Sequence, residues 1–252
     1  MQNQAVRRET RYGTPAADQV VHNRDYVLGY SYYFRQAKWA LEIVDLANTS
    51  IEDMQARELV ERADNFRPDY RIPSRFRADL ADYRRSGYDR GHLICSANKR
   101  FTKLQNSETF LLSNMAPQAP RLNRDVWRIL EERIREYDGR DEIYETFVMC
   151  GPIFYFDQEV VVIGGKDEND VTIPVPHAFF KSVLSEDYRG NLAMWSFLLP
   201  NDPDQEEWEP LEHYLVSTRT IEKLGGIFLW QGLVGPEMDE MKQSIARAWW
   251  DS

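Results

Sequence analysis

Apolar side chains recur along the chain in short blocks of strand length rather than in long runs. Residues 26–46 hold two adjacent blocks rich in aromatic and β-branched residues, which predict a pair of strands. Phe110–Leu112 predicts a short apolar strand that ends at Asn114. Five later blocks predict further strands of one sheet: Thr146–Cys150, Val160–Ile163, Ala178–Leu184, Ala193–Leu199 and Ile227–Gln231.

Helical spacing is clearest over Asn123–Tyr137, where apolar residues recur every three or four positions. A second helix is predicted over Leu215–Leu224, because the glycine pair at 225–226 is a typical helix end. Residues 50–62 predict a third, short helix. All three predicted helices are short enough to pack against the faces of a sheet.

Polar segments separate these elements. Residues 63–88 contain two prolines, and residues 201–212 contain six acidic residues and no basic one, so both predict surface loops. Neither segment is typical of a linker between domains. The sequence therefore predicts an α+β fold in which residues 1–252 form a single domain, with a central mixed or antiparallel β-sheet flanked by helices.

The composition excludes several classes of protein. With 42% hydrophobic and 13% aromatic residues, the chain is not expected to be disordered. No stretch approaches 18 consecutive apolar residues, so we expect no membrane-spanning helix and no membrane partner. Cys95 and Cys150 lack zinc-site spacing and predict buried, reduced thiols. The N-terminus lacks the apolar segment of a secretory signal, which predicts a cytoplasmic protein, or a secreted or organellar one if a leader has been removed.

Basic charge is concentrated in one segment of an acidic chain. The formal net charge is −10, yet residues 62–103 hold eleven basic and five acidic residues, a net +6, which leaves −16 on the rest of the chain. Such a cationic segment in an acidic protein is typical of a cleft that binds phosphate groups. A solvated loop without a specific role is the alternative, and charge alone does not decide between them.

Candidate metal ligands lie on the predicted helix at 123–137. Four residues follow one another there at intervals of four: Asn123, Trp127, Glu131 and Arg135. Residues so spaced share one helical face. Asn123 and Glu131 would be about 12 Å apart along a continuous helix, too far to bind one ion directly without water. Mg²⁺ keeps most of its waters and suits this arrangement, although Asn123 is also a favoured helix N-cap.

His92 is the candidate general base. It follows Arg90 and Gly91 in the basic segment, and glycine allows the backbone to approach a ligand closely. A neutral imidazole can take a proton from water, and a nearby arginine favours that neutral form. A purely structural histidine remains the alternative on residue chemistry alone.

Three motifs together resemble a known family. They are Asp89-Arg90-Gly91-His92, Asn114-Met-Ala-Pro-Gln118, and Asn123 with Trp127 and Glu131. This combination resembles the DNA/RNA non-specific endonucleases, which are ββα-metal (His-Me finger) enzymes. The resemblance extends over most of the chain and places the finger at about residues 84–137.

The resemblance implies a metal-dependent hydrolysis of phosphodiester bonds in DNA and RNA. It makes His92 the general base that activates water, Asn123 the direct ligand of one Mg²⁺ ion, and Glu131 a ligand through water. Mn²⁺ is expected to substitute for Mg²⁺, and the products are expected to carry a 5′-phosphate.

The same resemblance implies which residues support the reaction. Those assigned to phosphate groups are all arginines: Arg62, Arg90 and Arg135, with Arg67 as the alternative to Arg62. Of these, Arg62 and Arg90 are expected to assist catalysis directly. Asp89 and Asn114 are expected to support the site structurally.

Partners and control are less defined. The resemblance implies DNA and RNA as substrates and favours a homodimer. Two other functions stay open: a nuclease effector domain restrained by an inhibitor, a regulatory partner or a signal, and a nucleic-acid-binding module without activity. An intact set of His92, Asn123 and Glu131 argues against the inactive module.

Overall fold

Seven strands form one antiparallel sheet at the centre of the part of the chain that the computed structural model describes, residues 7–44, 59–165 and 172–251. In chain order the strands are β1 (Gln19–His22), β2 (Tyr26–Ser31), β3 (Gln36–Ile43), β4 (Asp89–His92), β5 (Met115–Gln118), β6 (Ile143–Ile153), β7 (Val162–Gly164), β8 (Thr172–Pro174), β9 (Ala178–Asp187), β10 (Leu192–Pro200) and β11 (Leu215–Val216). The large sheet has the order β1-β2-β3-β6-β9-β10-β11. The predicted α+β fold is confirmed, and all pairs in this sheet are antiparallel.

Helices cover both faces of this sheet. In chain order they are α1 (Leu80–Tyr83), α2 (Lys103–Glu108), α3 (Pro120–Arg124), α4 (Val126–Asp138), α5 (Thr218–Gly225) and α6 (Pro236–Gln243). Successive strand residues point to opposite faces. Phe179 of β9 therefore joins the core cluster that includes α4, whereas Phe180 joins the cluster that includes Ile221 of α5.

The predicted finger is built from β4, β5 and the helices that follow. The two strands pair antiparallel, with His92 opposite Met115 and Asp89 opposite Gln118. Residues 93–114 connect them through short helices, and α3 and α4 follow β5 directly. His92 thus ends the first strand of the finger.

Two predicted strands are wrong. Phe110–Leu112 is not a strand, since only Leu111 makes an isolated bridge, to Arg67, and the pairing strand begins at Met115. Ile227–Gln231 is buried in part but irregular. There the carbonyl oxygens of Leu229 and Trp230 accept hydrogen bonds from Lys242 Nζ at 2.7 and 3.1 Å. These backbone groups are therefore bonded by a side chain and not by the backbone of a neighbouring strand.

Helix boundaries also differ from the prediction. The predicted helix at 123–137 is two helices, because the backbone leaves helical geometry at Asp125, with φ −110° and ψ −94°. The predicted helix at 215–224 begins later, because 215–216 forms β11 and Ser217 caps α5 by accepting from Thr220 N. Gly226 ends α5 with φ +60°, as the glycine pair predicts.

The remaining predictions hold in part. The predicted strand at 160–163 is the shorter β7, which pairs with β8 outside the large sheet. The predicted helix at 50–62 lies mostly outside the described residues, and 59–62 forms no helix.

None of the helices in the described ranges is long and apolar enough to cross a membrane. The large sheet includes strands from β1 at residue 19 to β11 at residue 216, and the single domain over residues 1–252 stays a prediction.

Candidate active site

A cleft of about 750 Å³ lies between the finger and the segments around Arg62 and α1. It brings together the three residues of the predicted reaction: His92, Asn123 and Glu131. Its basic lining residues are all arginines: Arg62, Arg84, Arg90, Arg128 and Arg135. The acidic lining residues are Asp89, Glu131 and Glu132. The cleft is therefore cationic and suits a phosphate backbone.

His92 is enclosed by aromatic rings at the end of β4. Its ring lies 5.0 Å from that of Phe110 and 5.7 Å from that of Phe66, both edge to face. Burial lowers the pKa of His92 to about 3, and the positive charges of Arg62 and Arg90 act in the same direction. Its Nε2 atom is buried, with no hydrogen-bond partner among the described residues. His92 is therefore a neutral imidazole at neutral pH, the form a general base requires.

Asn123 lies in α3 with its amide oriented by the strand beside it. Its Nδ2 atom donates to Asp89 Oδ2 at 2.9 Å, and Asp89 also forms an ion pair with Arg124 at 2.8 Å. The N-cap alternative is excluded, because α3 begins at Pro120, three residues before Asn123. The hydrogen bond leaves the amide oxygen as the end that a ligand can use.

Glu131 lines the cleft from α4, one helix further along. Its side chain is 11% exposed, and its Oε1 atom lies 3.3 Å from Lys181 Nζ. The break at Asp125 separates Asn123 from Glu131 into two helices, so the separation calculated for one continuous helix does not apply. Lys181 is not among the residues that the sequence predicts for the site, although a lysine within the predicted strand Ala178–Leu184 is a usable signal.

The predicted phosphate-binding arginines differ in position. Arg62 lines the cleft, stacks over Phe110 at 4.8 Å and donates to Ser96 Oγ at 2.9 Å. Arg67 does not line it, and instead donates to the backbone oxygens of residues 65 and 107. Geometry therefore favours Arg62 over Arg67.

The two other predicted arginines lie at the cleft. Arg90 is exposed and stacks over Phe66 at 4.1 Å. From the far end of α4, the Nη1 atom of Arg135 donates to Asn98 Oδ1 at 3.1 Å and to Cys95 Sγ at 3.5 Å. A guanidinium group carries five N–H donors, so an arginine held by stacking or through one nitrogen atom keeps donors available for a phosphate.

Asn114 braces the end of β4 from inside the protein. It is fully buried, accepts from Ile94 N at 3.0 Å, and donates to the carbonyl oxygens of Ile94 and Thr109 at 3.1 and 2.9 Å. These bonds tie the segment after His92 to the segment before β5. The geometry agrees with a structural role.

The structure gives a packing reason for glycine at position 91, beside the close approach of a ligand that the sequence suggests. A Cβ atom at this position would lie 2.1 Å from Oε1 of Gln118, which is fully buried on the neighbouring strand. Packing between the strands therefore favours glycine at this position. Cys95 and Cys150 are free and buried, as predicted, and burial raises the pKa of both thiols, that of Cys150 to about 12.

The donor set fits a hard metal ion that keeps most of its waters. Within the described ranges, no cluster of three or more histidine, cysteine, aspartate or glutamate side chains has metal-binding geometry. The cleft instead offers the free amide oxygen of Asn123 and the carboxylate of Glu131. Both are oxygen donors, which Mg²⁺ and Mn²⁺ prefer.

Comparison with known proteins identifies the family. The family model described as DNA/RNA non-specific endonuclease matches residues 3–234. Endonuclease G, mitochondrial, from Bos taurus is 34% identical over 228 residues, covering 86% of this chain and 71% of the relative. The mitochondrial nuclease of Saccharomyces cerevisiae is 32% identical over 240 residues, covering 88% and 68%.

A solved structure agrees with these relatives. The complex described as "Crystal structure of the EndoG/EndoGI complex: Mechanism of EndoG inhibition" contains a chain that is 31% identical, with a TM-score of 0.77, and the match covers 90% of this chain and 91% of that one. The protein is an endonuclease with the ββα-metal fold. It belongs to the DNA/RNA non-specific endonuclease family, which is generally metal-dependent.

Proposed function

We propose that the protein is a Mg²⁺-dependent endonuclease that hydrolyses phosphodiester bonds of DNA and RNA with little sequence preference. The observation that carries this proposal is the convergence of His92, Asn123 and Glu131 on one cleft lined by arginines. The cleft recognises a phosphate backbone by charge, and backbone contacts carry no sequence information directly.

His92 acts as the general base in this proposal. It takes a proton from the attacking water, while the oxygen of that water forms the new bond to phosphorus and the bond to the 3′ oxygen breaks. The product then carries a 5′-phosphate and a 3′-hydroxyl. Burial keeps the imidazole neutral before the reaction, as its lowered pKa indicates.

Asn123 and Glu131 hold the metal site. Asn123 would supply its amide oxygen to the ion, and Glu131 would accept hydrogen bonds from surrounding water. A metal ion bound there would supply positive charge that stabilises the negative charge developing on the phosphate. Arg62, Arg90 and Arg135 stabilise the remaining negative charge of the phosphate.

The test is cleavage of supercoiled plasmid DNA and of a structured RNA, with analysis of the new ends. With Mg²⁺ or Mn²⁺ we expect both to be degraded to 5′-phosphate ends, and with excess EDTA we expect no cleavage. Asn123→Ala should raise the metal concentration needed for half-maximal activity. An unchanged metal requirement in that variant, or products with 3′-phosphate ends, would contradict the proposal.

Restraint by a protein inhibitor is a second proposed property. It is supported by the solved neighbour, whose description names a complex in which EndoG is inhibited. Toxicity on expression, relieved by His92→Ala, would support the need for such a partner. Harmless expression of a wild-type protein that is fully active when purified would argue against it.

Oligomeric state and location stay proposals. We propose a homodimer, which sedimentation equilibrium tests. The relatives from cattle and yeast are named as mitochondrial, so we propose an organellar location in place of the cytoplasmic one that the sequence predicted. Fractionation of cells that express the native gene tests this location.

A further inference from the structure

Lys181 is a buried cation that the proposed chemistry does not use. It lies on β9 with 2% of its side chain exposed. Its Nζ atom is 3.3 Å from Glu131 Oε1 and 4.1 Å from the centre of the Trp127 ring. An ammonium group out of water is costly unless it is paired, so the contact with Glu131 is what allows a charge at this place.

We propose that Lys181 is a positioning residue of the metal site. It holds the Glu131 side chain in one orientation through this 3.3 Å contact, so that the carboxylate presents a fixed edge to the water around the ion. This inference rests on the proposed function, since it takes Glu131 as the group that orients this water. Lys181 acts only through Glu131 in this account, because Lys181 itself does not line the cleft and Trp127, its other contact there, has no oxygen atom to offer to water.

The sheet makes Lys181 a rigid anchor. Its backbone pairs with Cys150 of β6 on one side and with Phe197 of β10 on the other, so the residue lies on an interior strand. Glu131, in contrast, lies on a helix at the cleft wall, and its side chain is 11% exposed. A fixed charge on the sheet therefore limits the positions that this carboxylate can adopt. Partners that orient metal ligands in this way typically change metal affinity 10- to 100-fold when they are removed.

A second buried pair provides a matched control. Lys242 is 4% exposed and lies 3.7 Å from Glu222 Oε1, in a part of the protein that does not line the cleft. If Lys181 served only to stabilise the fold, Lys181→Met and Lys242→Met would both lower thermal stability and leave metal binding unchanged. If Lys181 positions Glu131, only Lys181→Met changes metal binding.

The experiment is a titration of metal-free protein with Mn²⁺ by calorimetry, at a temperature where circular dichroism shows every variant folded. We expect the Kd for Mn²⁺ to rise about tenfold in Lys181→Met and to stay unchanged in Lys242→Met. Glu131→Gln alone and Glu131→Gln with Lys181→Met should bind Mn²⁺ equally. Wild-type affinity in folded Lys181→Met, or a further loss in the double variant, would overturn the inference.

A second variant covers a failure to fold. If Lys181→Met is unfolded, Lys181→Gln replaces it under the same criteria, because glutamine is a polar side chain that is one atom shorter and carries no charge. The double variant removes both buried charges and can be compared with Glu131→Gln in either case. Equal Mn²⁺ affinity of these two is required by the inference.

The two proposals fail differently. Wild-type protein that neither binds Mn²⁺ nor cleaves nucleic acid would contradict the proposed function. Wild-type protein that does both, with unchanged Mn²⁺ affinity in Lys181→Met, would contradict only the role of Lys181.

Discussion

Asp89 and Asn123 are joined by a 2.9 Å hydrogen bond from the amide nitrogen of Asn123 to a carboxylate oxygen of Asp89. The bond links the first residue of β4 to α3 and so connects the strand and helix parts of the finger. Because the nitrogen faces Asp89, the oxygen is the end left for a metal ion. The aspartate of the Asp-Arg-Gly-His motif therefore determines how Asn123 is presented.

Asp89→Ala should weaken metal binding although Asp89 is not a ligand. Without the acceptor, the amide can rotate, and the metal concentration for half-maximal cleavage should rise at least tenfold. Arg124→Ala is the control, because it removes the ion pair and leaves the bond to Asn123 intact. Equal metal requirements in Asp89→Ala and in the wild type would show that Asp89 does not orient Asn123.

The pH dependence of stability should report the lowered pKa of His92. Its pKa in the folded protein is about 3, against an ordinary value of 6.5, so between these values the unfolded chain binds a proton that the folded protein does not. Stability should therefore fall as pH falls through this window. In His92→Gln this contribution is absent.

Urea unfolding of metal-free protein at pH 6.5 and pH 4.5 measures the effect. The two proteins have the same titratable groups apart from His92. The free energy of unfolding should therefore fall more between pH 6.5 and pH 4.5 in the wild type than in His92→Gln. Equal losses in the two proteins would mean that the imidazole is protonated normally in the fold.

Arg62 and Arg67 should separate clearly on substitution. Arg62 lines the cleft, whereas Arg67 is bound to backbone oxygens outside it. Arg62→Ala should lower kcat/KM about 100-fold, the usual scale for losing one donor to a developing negative charge. Arg67→Ala should change kcat/KM of the folded protein by less than about threefold. Both variants are assayed on one short oligonucleotide. A larger loss of kcat/KM in Arg67→Ala than in Arg62→Ala would show that Arg67, and not Arg62, binds the phosphate.

Gly91→Ala should destabilise the finger through Gln118. The added methyl group would meet the Gln118 side chain, which is buried on the adjacent strand, so this side chain or the strands must shift. Gln118→Ala in the same protein should restore much of the lost thermal stability, because it removes the atoms in conflict. A melting temperature of Gly91→Ala equal to that of wild type would contradict the packing argument.

The parts of the site that the sequence revealed are those carried by short motifs. His92, Asn123 and Glu131 could be found because the reaction restricts residue type and spacing, and the resemblance could be read from local segments. Lys181 was missed, because its partner lies 50 residues away and only the sheet brings them together. Lys242 is a similar case. Its ammonium group donates hydrogen bonds to the backbone of a segment for which hydrophobicity alone predicts a strand, and only the fold brings the two together.

The helix break was hidden for a different reason. Asp125 interrupts the helix without proline or glycine, and the apolar periodicity continues across it, so the pattern predicted one helix. The break nevertheless changes the account of the site. Asn123 belongs to a separate short helix that Asp89 holds against β4.

The most direct test of the account is the comparison of wild type and His92→Ala on plasmid DNA and structured RNA, each with Mg²⁺ and with EDTA. The account predicts that wild type degrades both substrates only with Mg²⁺. It predicts that His92→Ala binds both in a gel-shift assay and cleaves neither. Normal cleavage by His92→Ala, or undiminished wild-type cleavage in EDTA, would contradict it.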